Sequence, residues 1–456
     1  MKAENVSVLQ QRLLQPKPLT AFLIFAVLPF WRGGNIEVVW GFSAAILTIF
    51  AAWWLVSQRD LQRGALGILL TIATLIVALK VAAFVFNLFG CTPALAVDQV
   101  APDARPLGLL PCSASLSSTM FSLSQTIAIM ALFALGMLYG SRQNFTLALR
   151  AFLTAAVIFG IIGLLKMYGV GRVLGLSWLI SSGDYTRFEL GFVNPNTLST
   201  YLSLAAIISL HGFILALSAW KTNHDFPDQK SQGINLPWGV GLLLLVLLLL
   251  LIGTQSRLGV ATGILGLALL VIGQYFGARR TRTLFIAFAL LGLVVLIGGT
   301  LQYDAFAREL GELSTSIDIR LALYTQSVEL SFKAPLFGHG AGTFGDIFPS
   351  HNHLAATSYE VWDKAHNTYL SLLVEQGVIG LLLHLAVFAV MLRVLFIAWM
   401  VAGVSVALLG ICLIAVIALH SLGDFSMEIF GFAGTAMVLI GMIYRRSTDL
   451  RDEHFQ

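Results

Sequence analysis

Residues 239–253 read GVGLLLLVLLLLLIG, and the next six residues, 254–259, read TQSRLG. The apolar tract carries no charged, amide or hydroxyl side chain. A helix without a polar face offers nothing to water, so the tract reads as a lipid-facing span with no chemistry of its own. At 1.5 Å per residue, roughly 20 such residues cross a hydrocarbon layer about 30 Å thick. Arg257 stands where this run ends and the next apolar run, 258–277, begins.

The whole chain repeats the pattern. It is 57% hydrophobic and 11% charged, with a mean hydropathy of +0.86. A water-soluble domain carries about 25% charged residues, so most of this protein's surface has to face lipid. The fold class expected is an all-α polytopic membrane protein of about 12 spans, with a long, partly helical loop before the last ones. Spans are predicted near 18–31, 36–57, 64–90, 119–140, 150–170, 197–220, 236–254, 258–277, 284–301, 368–392, 397–419 and 428–444. The first is short and the pair within 368–419 is ambiguous. The gaps between spans are short except at 91–118 and 302–367. The expected organisation is a transmembrane bundle of about nine spans over 1–301, a large outer loop over 302–367, C-terminal spans over 368–446 and a tail over 447–456.

The positive-inside rule orients the chain. With the N-terminus inside, most Lys and Arg fall on the inner side, led by ARRTR (278–282) and YRRSTDLR (444–451). Both termini are then cytoplasmic and both long loops face outward. Arg187, Arg257, Arg308, Arg320, Lys333 and Lys364 are the outer exceptions. The polar N-terminus lacks a small-residue cleavage site, so no cleavable signal peptide is expected. Cys91 and Cys112 share an outer loop, where bridged and free states both stand open, while Cys412 reads as a packed hydrophobe. No basic-aromatic pattern suggests nucleic acid.

The 302–367 loop is too long for a simple connection. DIRLALYTQSVELSF (318–332) reads as a partly amphipathic helix carrying Ile319, Ala322, Leu323, Leu330 and Phe332, with Ser316 and Asp318 at capping positions. APLFGHGAGTFGDIFP (334–349) reads as a tight glycine-rich turn. The chain re-enters the membrane through WDKAHNTYLSLLVEQGVIG (362–380), which keeps His366 and Asn367 at its mouth and Glu375 inside.

Histidine is a competent base near neutral pH, so His366 is the first catalytic candidate against the plainer reading of an interfacial hydrogen-bonding residue. The HNH run at 351–353 lacks an accompanying carboxylate or cysteine, and no metal site is expected. Arg187, Arg257 and Arg320 either snorkel to phospholipid or grip a phosphate through two-point contacts. Asn194 and Asn196 in GFVNPNTLSTYL (191–202) cap a helix or meet a sugar. Glu375 is costly in lipid unless paired or functional, and Gly377 and Gly380 suggest a broken helix there. Asp424, in LHSLGDFSMEIFG (419–431), is a candidate partner for a loop arginine.

Taken in order, the Asn-Pro-Asn turn, TQSRLG, IRLALYTQSVELSFKAPLFGHGAGTF (319–344), AHNTYLSLLVEQGVIG and HSLGDFSME (420–428) resemble the bacterial O-antigen ligase and O-antigen or exopolysaccharide polymerase family. The resemblance covers roughly 187–430 in this sequence. It implies an inverting, metal-independent and cofactor-free glycosyltransferase of the inner membrane, its site open to the periplasm. The donor would be a glycan on undecaprenyl diphosphate, and the acceptor a glycan or lipid A–core. Chain-length regulators and other polysaccharide-assembly proteins would be partners beside membrane lipids. His366 and Arg320 would be the catalytic pair and Arg257 would hold diphosphate. Arg187, Asn194, Asn196, His339, Asn367, Glu375 and Asp424 would bind substrate, with Glu375 orienting His366 or meeting sugar from below.

Two other classes remain in view. A protein O-oligosaccharyltransferase would use the same donor with a serine or threonine acceptor. A transporter or flippase of lipid-linked glycans would suit many spans and a membrane carboxylate, but no inverted repeat is visible and the polar residues gather at one face.

Overall fold

A computed structural model describes residues 25, 65–89, 91, 110–142, 144–167, 194–225, 237–278, 313–352 and 362–455. Among these residues the protein is all-helical. The helices are α1 (Ala65–Leu88), α2 (Leu116–Tyr139), α3 (Phe145–Met167), α4 (Pro195–Asp225), α5 (Pro237–Gly253) and α6 (Arg257–Ala278). They continue as α7 (Leu313–Lys333), α8 (Phe344–His351), α9 (Thr368–Ala402), α10 (Ser405–His420) and α11 (Phe430–Phe455). Six of them (α1, α2, α3, α4, α6 and α9) are long and apolar enough to cross a membrane, and α5 and α10 are shorter apolar helices. The predicted spans at 36–57 and 284–301 lie outside the described residues, as does 18–31 apart from Phe25.

Three sequence expectations are corrected. Arg393 does not end a span: α9 runs through it to Ala402, because LRVLFIAWM contains no breaker. The stop comes at Gly403, whose left-handed φ of 64° closes the C-terminus. Ser316 and Asp318 do not cap α7, which begins at Leu313 and carries both inside. Its buried stripe is Leu323, Ser327 and Leu330, spaced for one helix face, and Phe332 falls off that stripe at 74% exposed. The third correction concerns the opening tract. Only part of α5 faces lipid: Leu247 and Leu251 are buried, Leu250 fills the space over Gly160 of α3, and Leu251 reaches Gly263 of α6.

Small residues let the helix backbones approach, since lipid offers no hydrophobic gain for helix association. Gly136 of α2 and Gly140 at its C-cap lie one turn apart; a Cβ at Gly136 would strike the backbone of Val438 on α11. Gly441 of α11 faces the Phe133 carbonyl in return. Ser199 and Ser203 of α4 similarly face Gly259 and Gly263 of α6, and the Ser203 hydroxyl, which donates to the Ser199 carbonyl at 2.8 Å, stands 3.2 Å from the Gly259 carbonyl.

A second, smaller core joins α7, α8 and the start of α9 through Leu323, Leu330, Phe344, Phe348, Ala365 and Val374. Cys91 and Cys112 form a disulfide, which settles the alternative left open by the sequence. Cys412 is free and buried on α10.

The α2–α11 contact is the testable element. Gly136→Leu should destabilise the protein by about 1–3 kcal/mol through overpacking, read as a lower midpoint in detergent thermal unfolding. Gly239→Ala on α5, where a Cβ meets nothing within 4 Å, should leave the midpoint unchanged or slightly raised.

Candidate active site

The site begins with a broken helix. Gly377 has φ 64° and ψ −171°, so α9 divides into a half-helix, 368–376, and the membrane-crossing remainder. The break frees carbonyls on one side and N–H groups on the other. The glycine-rich segment after α7 takes up both sets. His339 and Gly340 donate to the carbonyls of Val374 and Glu375 at 3.0 and 2.8 Å, and Pro335 and Leu336 accept from Val378 and Ile379 at 2.9 and 3.2 Å. The backbones nearly touch: a Cβ at Gly338 would meet the Glu375 carbonyl, and one at Gly377 would meet that of Leu336.

Glu375 locks this arrangement. Its two carboxylate oxygens accept from the backbone N–H of Gly342 at 2.7 Å and of Phe344 at 3.2 Å, at the start of α8. Anionic oxygens are favoured at that end of a helix. Lys80 of α1, itself hydrogen-bonded to Ser122 and Thr126 of α2, lies within electrostatic reach of Glu375. The segment after the disulfide closes over the same loop: Ala114 donates to the His339 carbonyl at 2.7 Å, and Thr119 to that of Ala341 at 3.1 Å.

At the N-terminus of the half-helix, the Asn367 side chain caps α9 by accepting from Tyr369 and Leu370, while its amide donates to the Leu422 carbonyl at 2.9 Å. His366, just before it, has a left-handed φ of 49°. Its ring stands edge-on between Trp362 and Phe425, with centroids 5.2 and 4.7 Å away. Nδ1 is buried and faces Asp424 Oδ1 at 3.9 Å, too long for a hydrogen bond, so the contact is electrostatic. The side chain is 25% exposed although Nδ1 is not. Burial holds His366 below its ordinary value of 6.5; Asp424 opposes this, and Arg320 adds to it. His366 is therefore neutral at neutral pH, with a lone pair to offer.

Asp424 is fully buried and held from three sides. Ser426 donates to Oδ2 at 2.8 Å, Asn194 donates to Oδ1 at 3.3 Å, and His420 Nδ1 lies 3.9 Å from Oδ2. Asn194 also accepts from the Asn196 N–H at 2.9 Å, the turn that starts α4. Asn196 accepts from Ser256 at 2.8 Å, which ties that turn to the residue before Arg257. Arg320 of α7 donates to the Gly423 carbonyl at 3.2 Å, and Leu258 beside Arg257 packs over Gly423.

The 421–428 turn thus gathers His366, Asn367, Arg320, Asn194, Asn196 and Asp424, with the start of α6 alongside. Arg187 lies outside the described residues. Two expected members stand elsewhere. His339 is buried with Nε2 on the Leu330 carbonyl at 3.0 Å, so it fastens the glycine loop to α7. Glu375 directs both its oxygens to backbone N–H groups of the loop. Sequence reasoning missed Tyr324, Trp362 and Phe425. Tyr324 had a signal, standing four residues after Arg320 on the same helix face.

The O-antigen ligase family model matches residues 242–385. That segment holds Arg257, Arg320, His366 and the broken helix, and the match supports assignment to the O-antigen ligase and polymerase family. No curated protein matches the sequence.

The electrostatics are testable by the pH dependence of diethyl pyrocarbonate modification at His366, read by mass spectrometry. Only the neutral ring reacts, so the half-point should lie below 6.5. Asp424→Asn should lower it further and Arg320→Gln should raise it.

Proposed function

We propose that the protein is a surface-polysaccharide glycosyltransferase that moves a glycan from undecaprenyl diphosphate onto an acceptor sugar hydroxyl at the periplasmic face of the inner membrane. The observation that carries this reading is His366 facing buried Asp424 at 3.9 Å, with Arg320 on the adjoining Gly423 carbonyl; His366, Arg320 and the N-terminus of α6 lie in the segment matched by the O-antigen ligase family model.

On this reading the acceptor oxygen attacks the anomeric carbon as the bond from that carbon to the diphosphate oxygen breaks. The hydroxyl proton passes to His366. Asp424 then faces an imidazolium instead of a neutral ring, so a 3.9 Å contact that is weak before the reaction becomes attractive as charge develops. Arg320 and Arg257 meet the negative charge gathering on the departing undecaprenyl diphosphate; guanidinium forks suit its oxygens. Attack opposite the leaving group inverts the anomeric centre. Asn194 and Asn196 hold Asp424 and the α6 N-terminus in place.

The deciding experiment supplies purified protein with undecaprenyl-diphosphate-linked repeat units, alone or with lipid A–core. A ladder from repeats alone identifies a polymerase, and product only with lipid A–core identifies a ligase. No product in either case, with folded protein, overturns the reading.

His366→Ala should lower transfer by about 10²- to 10⁴-fold, the usual contribution of a general base. The acid limb of the wild-type rate profile should lie below pH 6.5, because His366 must lose its proton to act and burial lowers its pKa. Arg257→Lys should reduce turnover, since an ammonium cannot reproduce the two-point phosphate contact; a wild-type rate would remove Arg257 from the diphosphate site.

A further inference from the structure

His366 occupies a backbone conformation that L residues other than Asn, Asp or Gly rarely adopt, at φ 49°. Such a conformation persists only where its surroundings over-determine it. Trp362 and Phe425 stand edge-on to the ring, and Asn367 and Thr368 tie the following residues to the 421–422 carbonyls. A direct restraint on the His366 peptide itself comes from α7. The Tyr324 hydroxyl donates to the His366 carbonyl at 2.9 Å, and the same oxygen stands 3.5 Å from the Leu422 carbonyl. Tyr324 therefore touches both strands of chain that face each other across the site, the one ending in His366 and the one leading to Asp424.

We propose that Tyr324 is a positioning residue for the transfer reaction: its hydroxyl holds the His366 peptide in the left-handed conformation that aims the ring at Asp424 and the acceptor. The inference rests on the reading of His366 as the base.

The reasoning follows from geometry. One turn of α7 separates Arg320 from Tyr324, so a single helix face grips the Gly423 carbonyl with a guanidinium and the His366 carbonyl with a phenol. Because the hydroxyl has one proton, the 2.9 Å contact is the hydrogen bond and the 3.5 Å contact is secondary. The net stabilisation of one such bond is of the same order as the penalty of a left-handed non-glycine residue. Removing it frees the peptide to relax, and the ring direction follows the peptide. The Tyr324 ring packs against the small core of α7, α8 and the half-helix, so phenylalanine keeps the packing and deletes only the hydrogen bond.

The test compares Tyr324→Phe, His366→Gln and wild type in the lipid-linked transfer assay, with kcat and donor KM measured separately. Thr325→Ala, whose exposed hydroxyl bonds only to its own helix, is the control expected to match wild type. Tyr324→Phe should lower kcat by about 10- to 100-fold, the scale of an ångström-sized misplacement, with donor KM unchanged. Its acid limb should also move from the wild-type position, because a displaced ring changes its burial and its distances from Asp424, Arg320 and Asp363. A kcat within about twofold of wild type, or a raised KM at unchanged kcat, overturns the assignment of Tyr324. If His366→Gln is inactive while Tyr324→Phe is normal, only this inference fails; if His366→Gln remains active, the reading of His366 as the base fails with it.

Discussion

The interruption of α9 at Gly377 is the constraint on which the rest of the site depends. An open helix exposes backbone groups that lipid cannot satisfy, and each one left unpaired costs several kcal/mol, on the order of a buried amide transferred without a partner. Four such groups are met by one segment, 335–340, which passes close enough that neither Gly338 nor Gly377 has room for a Cβ. The glycine-rich loop and the broken helix are therefore a single unit. Glu375 extends it, because the same residue whose carbonyl is taken by Gly340 places its carboxylate at the N–H groups of Gly342 and Phe344.

Once the half-helix is fixed, its mouth is registered against the turn between α10 and α11. Three contacts run in antiparallel order: Thr368 N–H to the Ser421 carbonyl at 3.0 Å, His366 facing Asp424, and Lys364 paired with Glu428 at 3.4 Å. The outer two differ in kind from the middle one. Lys364 stays charged because Glu428, Glu375 and Asp363 together outweigh its burial, whereas at His366 burial, with Arg320 added, outweighs Asp424 and Asp363 and holds the value below 6.5. The same frame thus holds one cation as a structural pair and leaves the neighbouring nitrogen base unprotonated.

Much of this was legible in the sequence, for physical reasons that also explain the gaps. Apolar runs of span length have few alternative structures in lipid, and α1, α2, α4, α5 and α6 fall within a few residues of their predicted ranges. His366, Arg320 and Asp424 are conspicuous because charged or titratable groups beside long apolar runs are expensive. Glu375 was conspicuous for the same reason, but its loop contacts were not legible, since its carboxylate meets backbone N–H groups of a loop more than thirty residues upstream and nothing local in sequence encodes that partner. The join between α9 and α10 failed on a charge: Arg393 looked like a loop residue, yet a long cationic side chain is tolerated on a helix surface when its end can reach water. Tyr324 was passed over because a tyrosine on an amphipathic helix is usually core, and its hydroxyl matters only once the His366 peptide is known to be left-handed.

The placement of Arg320 gives the proposed chemistry an order of events. In the free protein burial holds the His366 value below 6.5 and the Arg320 charge adds to this, so the base is neutral but weak. A diphosphate bound against Arg320 and Arg257 would bring negative charge that offsets this effect, and opposite charge within a few ångströms favours the protonated form of a histidine. His366 would then become a stronger base when the donor is in place. Asp424 cannot supply that change, since its hydrogen bonds to Ser426 and Asn194 hold it in one position. The arginine would act on both sides of the reaction, stabilising the leaving group and tying the strength of the base to occupancy of the donor site. Proton transfer from an acceptor hydroxyl would thereby be favoured only when there is a glycan to transfer.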